Sequence, residues 1–327
     1  MGFENVDFAP GLLYFGNVKT PVQKVTNIIH LAGFGCALLI LGLDTMTSSL
    51  QAGTRAAAAE RTGKDSDWGI PIGDRLVYKK VGDTELHLSV VKPANWKSGD
   101  KRAAIVFFHG GGWVGGPRGQ FNEQAKYFAS RGLVCAQVEY RFATKSDAPT
   151  VCCQDAKSAM RWVRSHAKEL GINPNRIISS GGSAGGHLAA FVAMVDGLDD
   201  PTDDKSVSCK PCAMVLFNPV FDNGPGGYGH DRIGDRYKEF SPTHNIKKGS
   251  APAVVFLGTN DKLIPVKTVE DFKAKMLEAG SKCEAFFYDG QAHGFFNQEP
   301  WRTKAMIEAD KFLASLGLLN GPPTLKE

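Results

Sequence analysis

Six short, continuous apolar runs constrain this chain most: Ala104–Phe108, Val134–Val138, Arg176–Ser179, Met214–Phe217, Ala253–Leu257 and Ala285–Tyr288. Runs of this length without alternation read as strands buried on both faces, the pattern of a parallel sheet. Helical spacing lies between several of them. Cys152, Ala156, Ala159, Met160, Val163, Ala167 and Leu170 follow a 3–4 period, with Gly171 and Asn173-Pro174 as the stop. Val269, Phe272 and Met276 repeat it, as do Ala305, Ala309, Phe312, Leu313 and Leu316. Upstream, Leu86–Val90 alternates apolar and polar, and Arg75–Val81 is its partner across a Gly82-Asp83 hairpin turn. The fold class expected is therefore α/β, a mostly parallel central sheet entered through an N-terminal antiparallel hairpin, with helices on both faces. Asp196–Pro211 and the glycine-rich Asp222–Ser241 fit no element. Loops of that length are usually functional or disordered, and the second is expected to help wall a substrate pocket.

Before residue 72 the sequence changes character. Leu31–Leu43 is uncharged and mainly apolar, with Lys19 and Lys24 ahead of it and Asp44 behind. Spanning a bilayer takes about 20 apolar residues, whereas the core of a secretory signal takes roughly 7–15. Residues 1–52 are accordingly expected to be a signal peptide or apolar N-terminal segment cleaved near Ala52, giving a secreted or periplasmic protein; an uncleaved segment 28–43 would be a membrane anchor. Residues 53–71 read as a linker or short cap, 72–320 as one catalytic domain and 321–327 as a tail. The chain has seven cysteines, and removal of Cys36 leaves an even number, suited to an oxidising compartment. Cys209 and Cys212 have metal or redox spacing, but no second pair accompanies them, so a local disulfide or two free thiols is expected and no metal site. The net charge of +4, without a basic run, gives no support for nucleic-acid binding.

Two glycine clusters carry the chemistry. Gly181-Gly182-Ser183-Ala184-Gly185-Gly186 joins the strand at 176–179 to an apolar stretch from His187. This is G-x-S-x-G placed between strand and helix, where a nucleophile sits on a sharp turn and the Ala184 N–H points to a developing oxyanion. His109-Gly110-Gly111-Gly112-Trp113 follows the strand 104–108. Its consecutive glycines allow the backbone to fold around the same oxygen, with His109 bracing the loop. Gly110-x-Gly112-x-x-Gly115 also matches a dinucleotide fingerprint, with Glu139 ending the next strand. Gly115-Gly116-Pro117 prevents the early helix that cofactor binding needs, however, and Trp113 crowds the approach. No cofactor is expected.

A serine needs a base, and imidazole suits neutral pH. His293 stands past the last strand in a glycine-flanked loop; His187, His87, His230 and His244 are placed less well. The orienting acid is expected on another strand end, at Asp261, with Asp222 as the alternative. An aspartate in such a turn also caps its own backbone in ordinary proteins.

HGGGW, GGSAGG, GTNDKLIP and GQAHGFF together make residues about 75–315 resemble an α/β-hydrolase of the hormone-sensitive-lipase-like serine esterase group. The resemblance implies a triad of Ser183, Asp261 and His293, and oxyanion donors on Gly111, Gly112 and Ala184. Trp113 is expected to contact substrate. That group commonly has Asp before the serine, where this chain has Gly182, and D-P-x-x-D at the acid, where this chain has Asp261-Lys-Leu-Ile-Pro. The departures point to secreted bacterial acyl esterases. Expected is hydrolysis of short-chain acyl esters, acetyl to butyryl, of small-molecule or carbohydrate substrates, with a kynurenine-formamidase-like amidase as the alternative.

Overall fold

A computed structural model of the protein describes residues 69–326. The expectations for residues 1–52, and for the linker as far as residue 68, lie outside them. No helix among the described residues is long and apolar enough to cross a membrane.

Eight strands form one sheet in the order β1-β2-β4-β3-β5-β6-β7-β8. The first two, β1 (Asp74–Val81) and β2 (Thr84–Val91), pair antiparallel, and β2 joins β4 antiparallel. All remaining pairs are parallel: β3 (Arg102–Phe108), β4 (Val134–Val138), β5 (Ile172–Gly182), β6 (Ala213–Phe217), β7 (Ala253–Gly258) and β8 (Cys283–Tyr288). This is the sheet expected from the apolar runs. β5 starts earlier than its run, at Ile172, because Arg102 pairs with Ile172 across the sheet.

The helices are α1 (Asn122–Ser130), α2 (Thr150–Ser165), α3 (Ala184–Met194), the single turn α4 (His230–Ile233), α5 (Val266–Glu278) and α6 (Trp301–Ser315). Alternate residues of each central strand serve opposite faces. Val106 and Phe108 of β3 pack with α2, α3 and α5, while Ile105 and Phe107 pack with α1 and α6. Sequence spacing extended α2 to Leu170; it ends at Ser165, and Ala167 and Leu170 stay buried as part of the following turn. α1 went unread. Six free thiols occur among the described residues, Cys209 and Cys212 included, so the local disulfide does not form here.

Candidate functional site

β4 lies on one side of β3 and β5 on the other, so the sheet's winding reverses between β3 and β5. Crevices at the carboxyl ends of strands beside such a reversal are the usual ligand sites of open α/β sheets. The register sets Phe108 against Gly181 and Gly182 against Phe217, which brings the HGGGW loop, the serine turn and the end of β6 side by side.

Ser183 has φ +55 and ψ −121, a strained pair for a residue with a side chain. Its backbone is held by the end of β6, the loop after it and the first turn of α3: the Ser183 N–H donates to Phe217 O at 3.0 Å, and its carbonyl accepts from Val220 N at 3.3 Å and His187 N at 3.0 Å. Gly185 makes the turn possible by close approach. A Cβ there would stand 2.0 Å from the Phe108 carbonyl oxygen and 2.4 Å from that of His109.

Ser183 Oγ lies 2.8 Å from His293 Nε2, and His293 Nδ1 lies 2.7 Å from Asp261 Oδ2. Three side chains on the ends of β5, β7 and β8 thus form one line. The Asp261 carboxylate is fully buried, and its other oxygen accepts the N–H groups of Leu263 at 2.8 Å and Ile264 at 2.9 Å. One oxygen thus faces the imidazole while the other caps the backbone of its own turn. Burial acts to raise its pKa, but His293 and these N–H donors outweigh it and hold the carboxyl below the usual range. Asp222, the alternative acid, is engaged elsewhere. Its Oδ1 accepts the Gly224 N–H at 2.7 Å and lies 3.7 Å from His244 Nδ1. His187 is buried, with Nε2 donating to Phe240 O at 3.0 Å.

Beside Ser183, Gly111 and Gly112 adopt φ +128 and +62. No group among the described residues accepts the N–H of Gly111, Gly112 or Ala184. The loop behind them is braced on every side. Gln120 Oε1 accepts the Gly110 N–H at 2.7 Å, Tyr140 donates to His109 O at 2.7 Å, and His109 Nδ1 donates to Gly110 O at 2.8 Å. Burial lowers His109 to about 4, which keeps it a neutral brace, as expected from sequence. α1 begins only at Asn122, too far beyond these glycines to offer its N-terminus to a pyrophosphate there.

Trp113 corrects its expectation. The ring is fully buried, tilted against Tyr228 and edge-on to His187, and so supports the wall from behind instead of presenting a surface to a ligand. The glycine-rich excursion 222–241 does line a hollow of about 360 Å³, through Asp222, Pro225 and Tyr228, facing Leu263 and Ile264 of the Asp261 loop. A larger hollow of about 480 Å³ lies at the strands' amino ends, near Gly99 and Asn173, and holds none of these groups.

Two site residues went unread. Arg232 of α4 donates to the carbonyls of Gly112 (2.9 Å), Thr144 (2.9 Å) and Asp147 (3.0 Å), tying the excursion to the HGGGW loop. Asn218 follows β6 directly, with Nδ2 3.4 Å from His293 Nε2. Its only sequence signal is a polar residue at the carboxyl end of a buried run, the same placement as the serine, aspartate and histidine.

A parallel sheet carrying a strand–serine–helix turn at its reversal point, with an acid and a histidine on later strand ends, has the layout of an α/β-hydrolase. Residues 88–219 match the BD-FAE family model and residues 221–320 the Dienelactone hydrolase family model. The apo form of esterase 2 from Thermogutta terrifontis is 43% identical and superposes with TM-score 0.73, covering 76% of this chain and 96% of that one. The butyrate-bound form of that esterase is 41% identical with TM-score 0.72, covering 79% and 98%. LipM of Mycobacterium tuberculosis, a probable carboxylic ester hydrolase, is 28% identical over 196 residues, covering 52% of this chain and 44% of LipM. The chain spans about half the length, or less, of the curated relatives that it matches. It belongs to the α/β-hydrolase esterases.

Proposed function

We propose that this protein is a serine carboxylesterase that hydrolyses short-chain acyl esters, acetyl to butyryl, through an acyl-enzyme on Ser183. The observation that carries the reading is the Ser183–His293–Asp261 line, 2.8 Å and 2.7 Å between heavy atoms, beside three unengaged amides. Ser183 Oγ attacks the carbonyl carbon while its proton passes to His293 Nε2, and Asp261 stabilises the imidazolium. The carbonyl oxygen takes the negative charge and rests on the N–H groups of Gly111, Gly112 and Ala184. The carbon–oxygen bond to the alcohol then breaks, and His293 returns the proton to the departing oxygen. Water repeats the sequence on the acyl-enzyme and frees the acid and Ser183. Butyrate bound to the Thermogutta esterase supports the acyl length. Small-molecule esters and acetylated carbohydrates are the substrate class.

Ser183→Ala is expected to lower p-nitrophenyl acetate turnover by at least about 10³-fold with the unfolding midpoint unchanged. A folded Ser183→Ala protein keeping most of its activity overturns the reading. A panel from acetyl to decanoyl esters, with acetylated xylan, glucose pentaacetate and N-formylkynurenine, tests the substrate class. An optimum at decanoate, or at the formamide, overturns that part.

A further inference from the structure

Asn218 is wholly buried, has φ +33, and is held by its own N–H donating to Phe256 O at 2.7 Å. Asparagine tolerates positive φ better than most residues, but a strained residue beside a reacting group calls for a reason. Its side chain supplies one. The Gly294 N–H lies 3.1 Å from Asn218 Oδ1, and an N–H only donates, so the amide's oxygen must face Gly294. The NH₂ end is thereby turned towards His293 Nε2, 3.4 Å away.

An NH₂ also only donates. Nε2 must then present its lone pair, and the ring proton sits on Nδ1, facing Asp261 Oδ2. Asp261 from one side and Asn218 from the other therefore specify the same tautomer, the one able to accept the Ser183 proton. Were Nε2 protonated at rest, two N–H donors would face each other. The imidazole meets Asp261 from the loop after β7, Ser183 from the turn after β5 and Asn218 from the end of β6. Among the described residues, Asp261 is the one charged group in contact with it.

We propose that Asn218 is a positioning residue for His293: it pins the histidine loop to the end of β6 and keeps Nε2 free of a resting proton. This rests on the reading of Ser183 and His293 given above.

The test is the pH dependence of kcat/KM for p-nitrophenyl acetate between pH 5 and 9, with the full chain and two variants that tolerate the backbone angle. Asn218→Asp keeps the acceptor for Gly294 but sets a carboxylate oxygen against Nε2, which favours the protonated ring. Its acid limb is expected to move up by about one pH unit or more, a tenfold loss at low pH that recovers on the alkaline side. Asn218→Gly, without the amide, moves the limb the same way by less. A residue that merely filled space would lower the rate equally at every pH. Limbs that stay in place in folded variants overturn the proposal. In ¹⁵N-histidine spectra of the wild-type protein near pH 7.5, His293 is expected with its proton on Nδ1; a proton on Nε2 overturns the proposal however the variants fold. If Ser183→Ala proves inactive while these limbs stay in place, the role of Asn218 falls and that of Ser183 stands. An active Ser183→Ala removes both.

Discussion

Gly182 occupies the position where the resembled esterases commonly carry an aspartate, and the structure shows what fills the space. A Cβ on Gly182 would lie 2.4 Å from Phe296 Cζ, 1.0 Å short of the 3.4 Å at which ordinary contact begins. Phe296 cannot swing away, because its ring is buried and stacked on Phe217 at 4.8 Å and Phe121 at 5.8 Å. It also stands only three residues beyond His293. Gly182→Ala would therefore push the histidine segment outward by about 1 Å. The 2.8 Å contact between His293 Nε2 and Ser183 Oγ would open to about 3.8 Å, beyond the reach of about 3.2 Å that proton transfer needs. A displacement of that size is expected to cost about 10²-fold in kcat/KM, and the overpacking about 1–3 kcal/mol of stability. Phe296→Leu removes the ring tip. In the double variant, activity is expected to recover at least tenfold over Gly182→Ala alone, a coupling of about 1–3 kcal/mol. The assay is the four-protein cycle with p-nitrophenyl acetate, alongside urea unfolding. A Gly182→Ala enzyme within twofold of wild type would refute the reasoning, and so would a double variant that loses the product of the two single losses.

Three further outcomes are expected. Arg232→Ala should lower kcat about tenfold or more with little change in KM, since it frees the Gly112 carbonyl and loosens the amides beside it. Arg232→Lys should not restore activity, because one ammonium cannot span three carbonyls as the planar guanidinium does; a fully active lysine variant contradicts this. Asp261→Asn should cost about 10³–10⁴-fold in kcat, and Asp222→Asn only a few-fold; the opposite ranking in steady-state kinetics would reassign the acid. Burial lowers His109 and His187 to about 4 from 6.5, so the unfolded chain binds protons that the folded one does not as pH falls between those values. Stability present above pH 6.5 is thus lost on acidification, by about 2 kcal/mol per histidine at pH 5. Urea midpoints at pH 5 and 7.5 should separate accordingly and His187→Gln should narrow the gap, whereas an unchanged gap would contradict the assignment.

The sheet was legible because its strands are buried on both faces, which leaves short unbroken apolar runs that no amphipathic surface strand produces. The residues of the candidate site stood out in the sequence for a related reason: each is a polar group just beyond the end of such a run, Ser183 and His293 in glycine-rich sequence and Asp261 three residues after Gly258. Asn218 has the same placement but lacks the glycines, and it escaped notice. Arg232 could not be found at all. Its three partners are backbone carbonyls, and nothing in the side chains of Gly112, Thr144 or Asp147 signals them. α2 was overextended because Ala167 and Leu170 are buried by the turn after the helix and so continue its apolar period. Trp113 misled through its position, since a ring next to an oxyanion loop can support that loop from beneath as readily as it can meet a ligand.

The excursion 222–241 contributes no strand and touches neither Ser183 nor His293 by any hydrogen bond described above, yet Arg232 fastens it to the backbone that would cradle a substrate's oxygen. Shape and reactivity are thus built on separate parts of the molecule, joined by that guanidinium, by Tyr228 against Trp113 and by the Phe240 carbonyl on His187. Exchanging that stretch for one of different bulk is a route to altered substrate preference, provided the replacement brings an arginine to the same spot.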